Sequence, residues 1–198
     1  MGLFDFLKKK EAKAPVVNNE QTHETEFDRD IRELLAREDI TCRPEICEAE
    51  FKKAEMLLKT PTQECVHRAY DIMGNLAAQF EYIPAIMWMG DFTENIMQDL
   101  KQAVYWYKKA ADMGDGNGAR NYADMLMSGR GVQQNPREAF SYYAMAADKG
   151  VPEAAFVLGE FLRNAGDRDN AIKAYQQAVD GGYLPAQQRI DQMKKGAR

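Results

Sequence analysis

One helix-length motif recurs three times in this chain, and that recurrence restricts the fold more than any other feature. Residues 102–114 (QAVYWYKKAADMG), 138–150 (EAFSYYAMAADKG) and 170–182 (NAIKAYQQAVDGG) align without gaps, at offsets of 36 and 32 residues. Ala103, Ala139 and Ala171 correspond, as do Tyr107, Tyr143 and Tyr175, and then Ala110, Ala146 and Ala178. The small residues let neighbouring helices approach while the tyrosine fills the space one turn away. Each segment closes with Asp112, Asp148 or Asp180 and then Gly114, Gly150 or Gly182. A glycine there is free to take the left-handed conformation that ends a helix. A helical unit repeated in tandem buries its apolar face against its neighbours, so the chain is expected to stack.

A second helix is expected behind each of those glycines. Counting on from them, Ala119 and Ala155 take the fifth place, Tyr122, Leu158 and Ile190 the eighth, and Ala123 and Gly159 the ninth. Ala85, Met89 and Gly90 fit the same frame one unit earlier, and Ala77 with Ala78 echo the later Ala pairs. Residues 128–139 (SGRGVQQNPREA) form a full loop with two glycines, and Asn135-Pro136 reads as helix cap and first helical residue. The next unit shortens this loop to NAGDRDN, which accounts for the offset of 32.

Upstream, Pro44 suits the first turn of a helix whose buried side is Ile46, Cys47, Phe51, Ala54, Met56 and Leu57. Lys59, Thr60 and Pro61 break it. Pro61 then opens a helix carrying Val66, Ala69, Tyr70, Met73, Leu76, Ala77 and Phe80. Phe27, Ile31, Leu34 and Leu35 fall at helical spacing and predict a first helix over residues 24–37. Residues 11–25 have linker chemistry, with few apolar side chains and one Pro. The domain organisation expected is a disordered tail over residues 1–23 followed by one repeat domain over 24–198.

Charge narrows the function. With 26 basic and 31 acidic residues the net charge is -5, a poor match to phosphate backbones, so no nucleic-acid partner is expected. Residues 20–50 hold 11 acids against 4 bases, whereas residues 1–14 are net +2. Three cysteines, Cys42, Cys47 and Cys65, are too few and too odd a count for a disulfide framework, which points to a reducing compartment and a cytoplasmic protein. The opening MGLFDFLKKK is too short in its apolar part for a signal peptide, and no run approaches the roughly 20 apolar residues of a spanning helix. Membrane contact is at most peripheral, with Leu3, Phe4, Phe6 and Leu7 dipping into an interface and Lys8, Lys9 and Lys10 meeting anionic lipid.

The pattern A-x-x-x-L-G, then G-x-G-V, then A-x-x-W/Y-Y-x-x-A-A-x-x-G resembles the Sel-one-like repeat, a tetratricopeptide-like α/α solenoid. Residues 105–111 (YWYKKAA) and Gly129-Arg130-Gly131-Val132 followed by Ala139 carry the resemblance best. It covers residues 83–193 well and 44–81 in degenerate form. It implies an all-α, right-handed solenoid of about four helix-turn-helix repeats, and the acidic amino-terminal helix is expected to cap one end and residues 184–195 the other. It also implies a scaffold that holds a protein or peptide in a groove, with the helix after each closing glycine lining the concave side. On that helix Asp91, Asp124 and Glu160 fall in register at the tenth place. Trp88, Arg120, Asn121 and Arg163 border this acidic stripe, which suits a basic or amphipathic partner.

Catalytic chemistry is scarce. The chain has two histidines, His23 in the linker and His67, so nucleophilic catalysis lacks a ready base. Cys42, Cys47, Cys65 and His67 make a formally adequate zinc set without the usual C-x-x-C spacing. The glycine loop lacks the Lys-Ser/Thr ending of a phosphate loop. The Met-rich runs at residues 86–89 and 125–127 suit core filling better than an adaptable binding surface. The expectation is a non-catalytic adaptor with no cofactor. The competing readings are an enzyme or zinc protein built on the cysteines, and a membrane-surface scaffold recruited through residues 1–10.

Overall fold

Helices faced with alanine can approach closely, and a chain that repeats such helices buries most area by stacking them. The computed structural model describes residues 44–59 and 62–195, whose regular structure is helical throughout. The helices are α1 (Pro44–Lys59), α2 (Gln63–Ala78), α3 (Ile83–Asn95), α4 (Leu100–Asp112), α5 (Gly116–Ser128), α6 (Pro136–Asp148), α7 (Pro152–Asn164), α8 (Arg168–Asp180) and α9 (Pro185–Lys195). Two compact units, Met1–Ala85 and Ile86–Arg198, divide within α3. The helix expected over residues 24–37, the tail and linker ahead of it and the membrane-contact segment lie outside the described residues. Among those described, no helix is long and apolar enough to cross a membrane.

In the first unit α1 packs on α2. Cys47 and Ala54 are buried on one helix, and Ala69, Met73, Leu76 and Ala77 on the other. Phe51 meets Tyr82 edge to face at 5.7 Å. Met56, expected on the buried side, is 63% exposed. Two residues beyond Ala54 is about 200° around a helix, which carries it to the opposite face. The second helix starts at Gln63, because Thr62 caps it: its hydroxyl oxygen accepts from the Cys65 N–H at 3.2 Å.

The second unit is an all-α solenoid. From α4 to α9 each helix packs against the next. Its core is periodic: Ala103, Tyr107, Ala119, Tyr122, Ala123, Ala139, Tyr143 and Ala146 form one cluster, and Ala155, Ala171, Tyr175, Ala178, Ala186 and Ile190 belong to the next. The Met-rich runs serve this core, with Ile86, Met89, Met125 and Leu126 buried and Met87 and Met127 packed against the first cluster.

The closing turns repeat bond for bond. Gly114, Gly150 and Gly182 adopt φ of 85°, 84° and 95°. Each lets the N–H of the following residue turn back onto a helix carbonyl: Asp115 to Ala110 at 3.0 Å, Val151 to Ala146 at 3.0 Å, Tyr183 to Ala178 at 2.8 Å. Side chains cap the starts of α5, α6 and α8. Asp115 accepts from Gly118, Asn135 from Glu138 and Asp167 from Asn170, while α7 begins with Pro152 in place of a cap.

The long loop is pinned backwards. Gly129 ends α5 at φ 70°, and Gly131, also at φ 70°, lies so close to the start of α4 that a Cβ would stand 2.3 Å from the Leu100 carbonyl oxygen. Gly131→Ala therefore meets both a backbone penalty and an overlap with rigid backbone, and should cost about 3 kcal/mol. Gly150→Ala has the same kind of backbone angle with open space around it. It should cost about 1 kcal/mol. Urea denaturation of the two variants tests the difference; equal losses would mean that the Leu100 contact is not what constrains Gly131.

Candidate functional site

The second helices of the repeats, α3, α5 and α7, carry the site. At the ninth place of α3 and α7 glycine leaves a gap into which the next repeat lays its tyrosine. A Cβ on Gly90 would stand 2.5 Å from the Tyr107 ring, and one on Gly159 2.6 Å from the Tyr175 ring. Ala123 takes this place on α5, facing the cluster that holds Tyr143. The tyrosine hydroxyl then reaches one residue further along the helix, to the acid at the tenth place. Tyr143 donates to Asp124 Oδ1 at 2.5 Å and Tyr175 to Glu160 Oε1 at 2.6 Å. The Tyr107 hydroxyl lies 2.7 Å from Asp91 Oδ1 and 2.7 Å from Glu94 Oε2, so two carboxylates share one proton.

These acids are therefore structural acceptors as well as surface charges. Burial, and then the bond to Glu160, push the Tyr175 hydroxyl up to about 12. Tyr107 and Tyr143 are pushed up for the same two reasons, burial first and then Asp91 or Asp124. All three remain neutral donors at ordinary pH. Burial alone would raise Glu160, but hydrogen bonds from Tyr175 and Arg163, with Arg163 and Arg189 as charges, hold it below the usual carboxylate range.

Arginines accompany the row. Arg120 Nε lies 3.3 Å from Asp124 Oδ2 and its Nη1 donates to Asn121 at 2.9 Å. Arg163 and Arg189 each approach Glu160 at 2.9 Å. Arg130, from the glycine loop, meets Glu94. Asp91, Arg120, Asn121 and Asp124 come together in one concavity of ≈ 290 Å³, with Glu94, Tyr107, Met125 and Arg130 completing its wall. Glu160 and Arg163 stand one repeat away with Tyr175 and Arg189. Trp88 is stacked on Phe92 at 4.8 Å and does not line the concavity.

Sequence reasoning placed the acids in register but missed their tyrosine donors and the cations Arg130 and Arg189. The signal was present: Tyr107, Tyr143 and Tyr175 recur with the acids, 16, 19 and 15 residues behind them. Of the competing zinc set of Cys42, Cys47, Cys65 and His67, Cys42 lies outside the described residues. Cys47 is disulfide-bonded while Cys65 is a free thiol, and a disulfide sulfur is not the thiolate that zinc requires. An odd count of three leaves room for one bridge and one thiol, which the cysteine count alone did not register. Among the described residues no group of three or more His, Cys, Asp and Glu is arranged to hold a metal.

Helix pairs with alanine contacts, left-handed glycine turns and a tyrosine laid over the preceding helix define an α/α repeat protein. Comparison with known proteins gives the particular class of repeat: residues 84–115 and 117–151 match the Sel1 repeat, so this part of the chain is built of Sel1-like repeats. Over 118 residues it is 30% identical to an uncharacterized protein of Neisseria meningitidis serogroup B, covering 58% of this chain and 25% of that one. Among solved structures it is similar to a Sel1 repeat protein from Oxalobacter formigenes, with a TM-score of 0.55, 23% identity, and coverage of 61% of this chain and 54% of that chain. It is also similar to a protective antigen present in uropathogenic Escherichia coli strains that displays an SLR fold, with a TM-score of 0.63 and 25% identity. That match covers 71% of this chain and 32% of the antigen. The chain thus spans about a quarter to a half of the length of these relatives. Sel1 repeats are generally protein–protein interaction scaffolds.

Removing one charge-assisted hydrogen bond between repeats should be measurable. Tyr175→Phe is expected to lose about 2 kcal/mol in urea unfolding at neutral pH. Because Glu160 is held below its unfolded value, its contribution is complete above the ordinary carboxylate range and is lost as pH falls through its folded value. The gap between the wild type and Glu160→Gln should therefore narrow on acidification below about pH 4. A gap independent of pH would mean that the carboxylate charge contributes nothing.

Proposed function

We propose that the protein is a non-catalytic adaptor that binds a peptide or partner domain on the concave face of its repeat array, along the row formed by Asp91, Asp124 and Glu160. Arg120, Asn121 and Arg163 flank the row, and Trp88, on α3 outside the concavity, is proposed as a bordering contact. The observation that carries this reading is the concavity lined by Asp91, Arg120, Asn121 and Asp124, where charged groups of both signs face outward from a scaffold held rigid by the tyrosines behind them. Rigid display of charge favours oriented capture, because the receptor loses little freedom on binding. The cysteine count points to the cytoplasm as the place of action.

Charge reversal of the row would also remove the acceptors that hold the tyrosines, so the informative variant is Asp91→Asn with Asp124→Asn and Glu160→Gln. An amide oxygen still accepts from tyrosine while the charge is gone. Affinity purification from native cells, quantified by mass spectrometry, should return the partners of the wild-type protein at about one tenth of their yield with this triple variant. Equal recovery of the same partners by both proteins, at unchanged helicity and melting temperature, would show that the row is not the binding surface.

A further inference from the structure

Three equivalent acids lie on three equivalent helices, and the charge pattern around them breaks at one. Asp124 pairs with Arg120, four residues before it on the same helix. Glu160 pairs with Arg163, three residues after it, and with Arg189, at the seventh place of the following second helix. The corresponding positions around Asp91 hold no cation. Four residues before it stands Met87, three residues after it Glu94, and the seventh place of the following second helix is Asn121. Asp91 Oδ1 accepts from Tyr107, and among the described residues no arginine, lysine or histidine forms an ion pair with this carboxylate. The other acids of the concavity are matched, Glu94 by Arg130 and Asp124 by Arg120. The concavity thus carries three carboxylates against two guanidiniums, and the uncompensated charge sits on Asp91.

The geometry points to a cation subsite: the concavity between α3, α4 and α5 takes a lysine or arginine side chain of the partner segment, with Asp91 as its counter-ion. The incoming group supplies from outside the cation that the two sister repeats supply from within. Its ammonium or guanidinium meets Asp91 Oδ2, the Asn121 carboxamide stands where Arg189 stands in the later repeat, and Met125 offers apolar contact to the methylene stem. Arg120 and Arg130 line the same concavity, paired with Asp124 and Glu94, and repel a second cation, so one basic side chain is accepted and a basic run is not. This inference rests on the protein-binding reading above and names the chemistry recognised at one place in it.

The test uses the full-length chain labelled with ¹⁵N and three blocked tripeptides, acetyl-Gly-Arg-Gly-amide, acetyl-Gly-Lys-Gly-amide and the neutral isostere acetyl-Gly-citrulline-Gly-amide. The arginine and lysine peptides should shift the Gly90 amide and the Asn121 side-chain amide in a saturable way, with affinity about tenfold above that of the citrulline peptide. Asp91→Asn, which keeps an acceptor for Tyr107, should erase that preference. Asn121→Arg, which restores the internal cation, should do the same while leaving Asp91 in place. Equal binding of arginine and citrulline peptides to the wild type, or an undiminished preference in both variants, overturns the subsite. The wider reading is judged separately by partner recovery with the triple variant: partners that depend on the row without any cation preference at Asp91 remove the subsite and leave the adaptor.

Discussion

A tyrosine laid across the preceding helix, with its hydroxyl on that helix's next acid, is the contact on which the rest of the second unit depends. It needs three conditions at once: a glycine or alanine to leave room for the ring, a carboxylate one residue further on, and an alanine-faced helix that brings the two within reach. The ring supplies buried apolar area and the hydroxyl supplies direction. Alanine contacts alone would let one helix slide along another, since methyl groups carry no polarity to fix a register. A charge-assisted bond at 2.5 to 2.7 Å removes that freedom at the junctions of α3 with α4, α5 with α6 and α7 with α8.

The same bond alters what surface charge means here. A carboxylate on an exposed helix face is usually solvated, and pairing it with an arginine adds little to stability. Asp124 and Glu160 are different because a partly buried hydroxyl on the other side of each already orients the carboxylate. Their arginines therefore meet a fixed acceptor. In a repeat array whose stability is close to a sum of units and interfaces, each such junction contributes locally. Weakening one should loosen the surface beside it before it loosens the array.

Much of this was legible in the sequence, and the part that was not has a physical cause. The periodic Ala and Tyr positions predicted the buried clusters, and the closing glycines predicted three left-handed turns. Asn135-Pro136 predicted a helix start that is found at those residues. These features are local or strictly periodic, so a one-dimensional pattern carries them. Register also placed Asp91, Asp124 and Glu160 on equivalent positions of successive helices. What register could not carry was which side chains cross between repeats. Arg130 reaches Glu94 over 36 residues and Arg189 reaches Glu160 from the next helix pair; neither pairing has a fixed offset that recurs. The placement of Met56 failed for a simpler reason, because its spacing from Ala54 does not fit a single helix face. The disulfide at Cys47 escaped because residue counting weighs a framework of bridges and not a lone one.

Periodicity and function pull against each other in an array of this kind. Every position that repeats faithfully is explained by packing: Ala103, Ala139 and Ala171 let helices meet, and Tyr107, Tyr143 and Tyr175 lock them. Such positions cannot distinguish one part of the surface from another. Recognition of a particular partner needs asymmetry along the row, and asymmetry can arise only where the repeat departs from itself without disturbing the lock. Around Asp91 the departures are Met87, Glu94 and Asn121, and the Tyr107 bond survives all three. Around Glu160 the cations are present and the carboxylate is satisfied from within. Two units of one array with the same kind of tyrosine junction thus present different chemistry to an approaching chain, one self-neutralised and one still able to accept a positive charge. The repeat sets where binding groups can stand, and its irregularities set what they can bind.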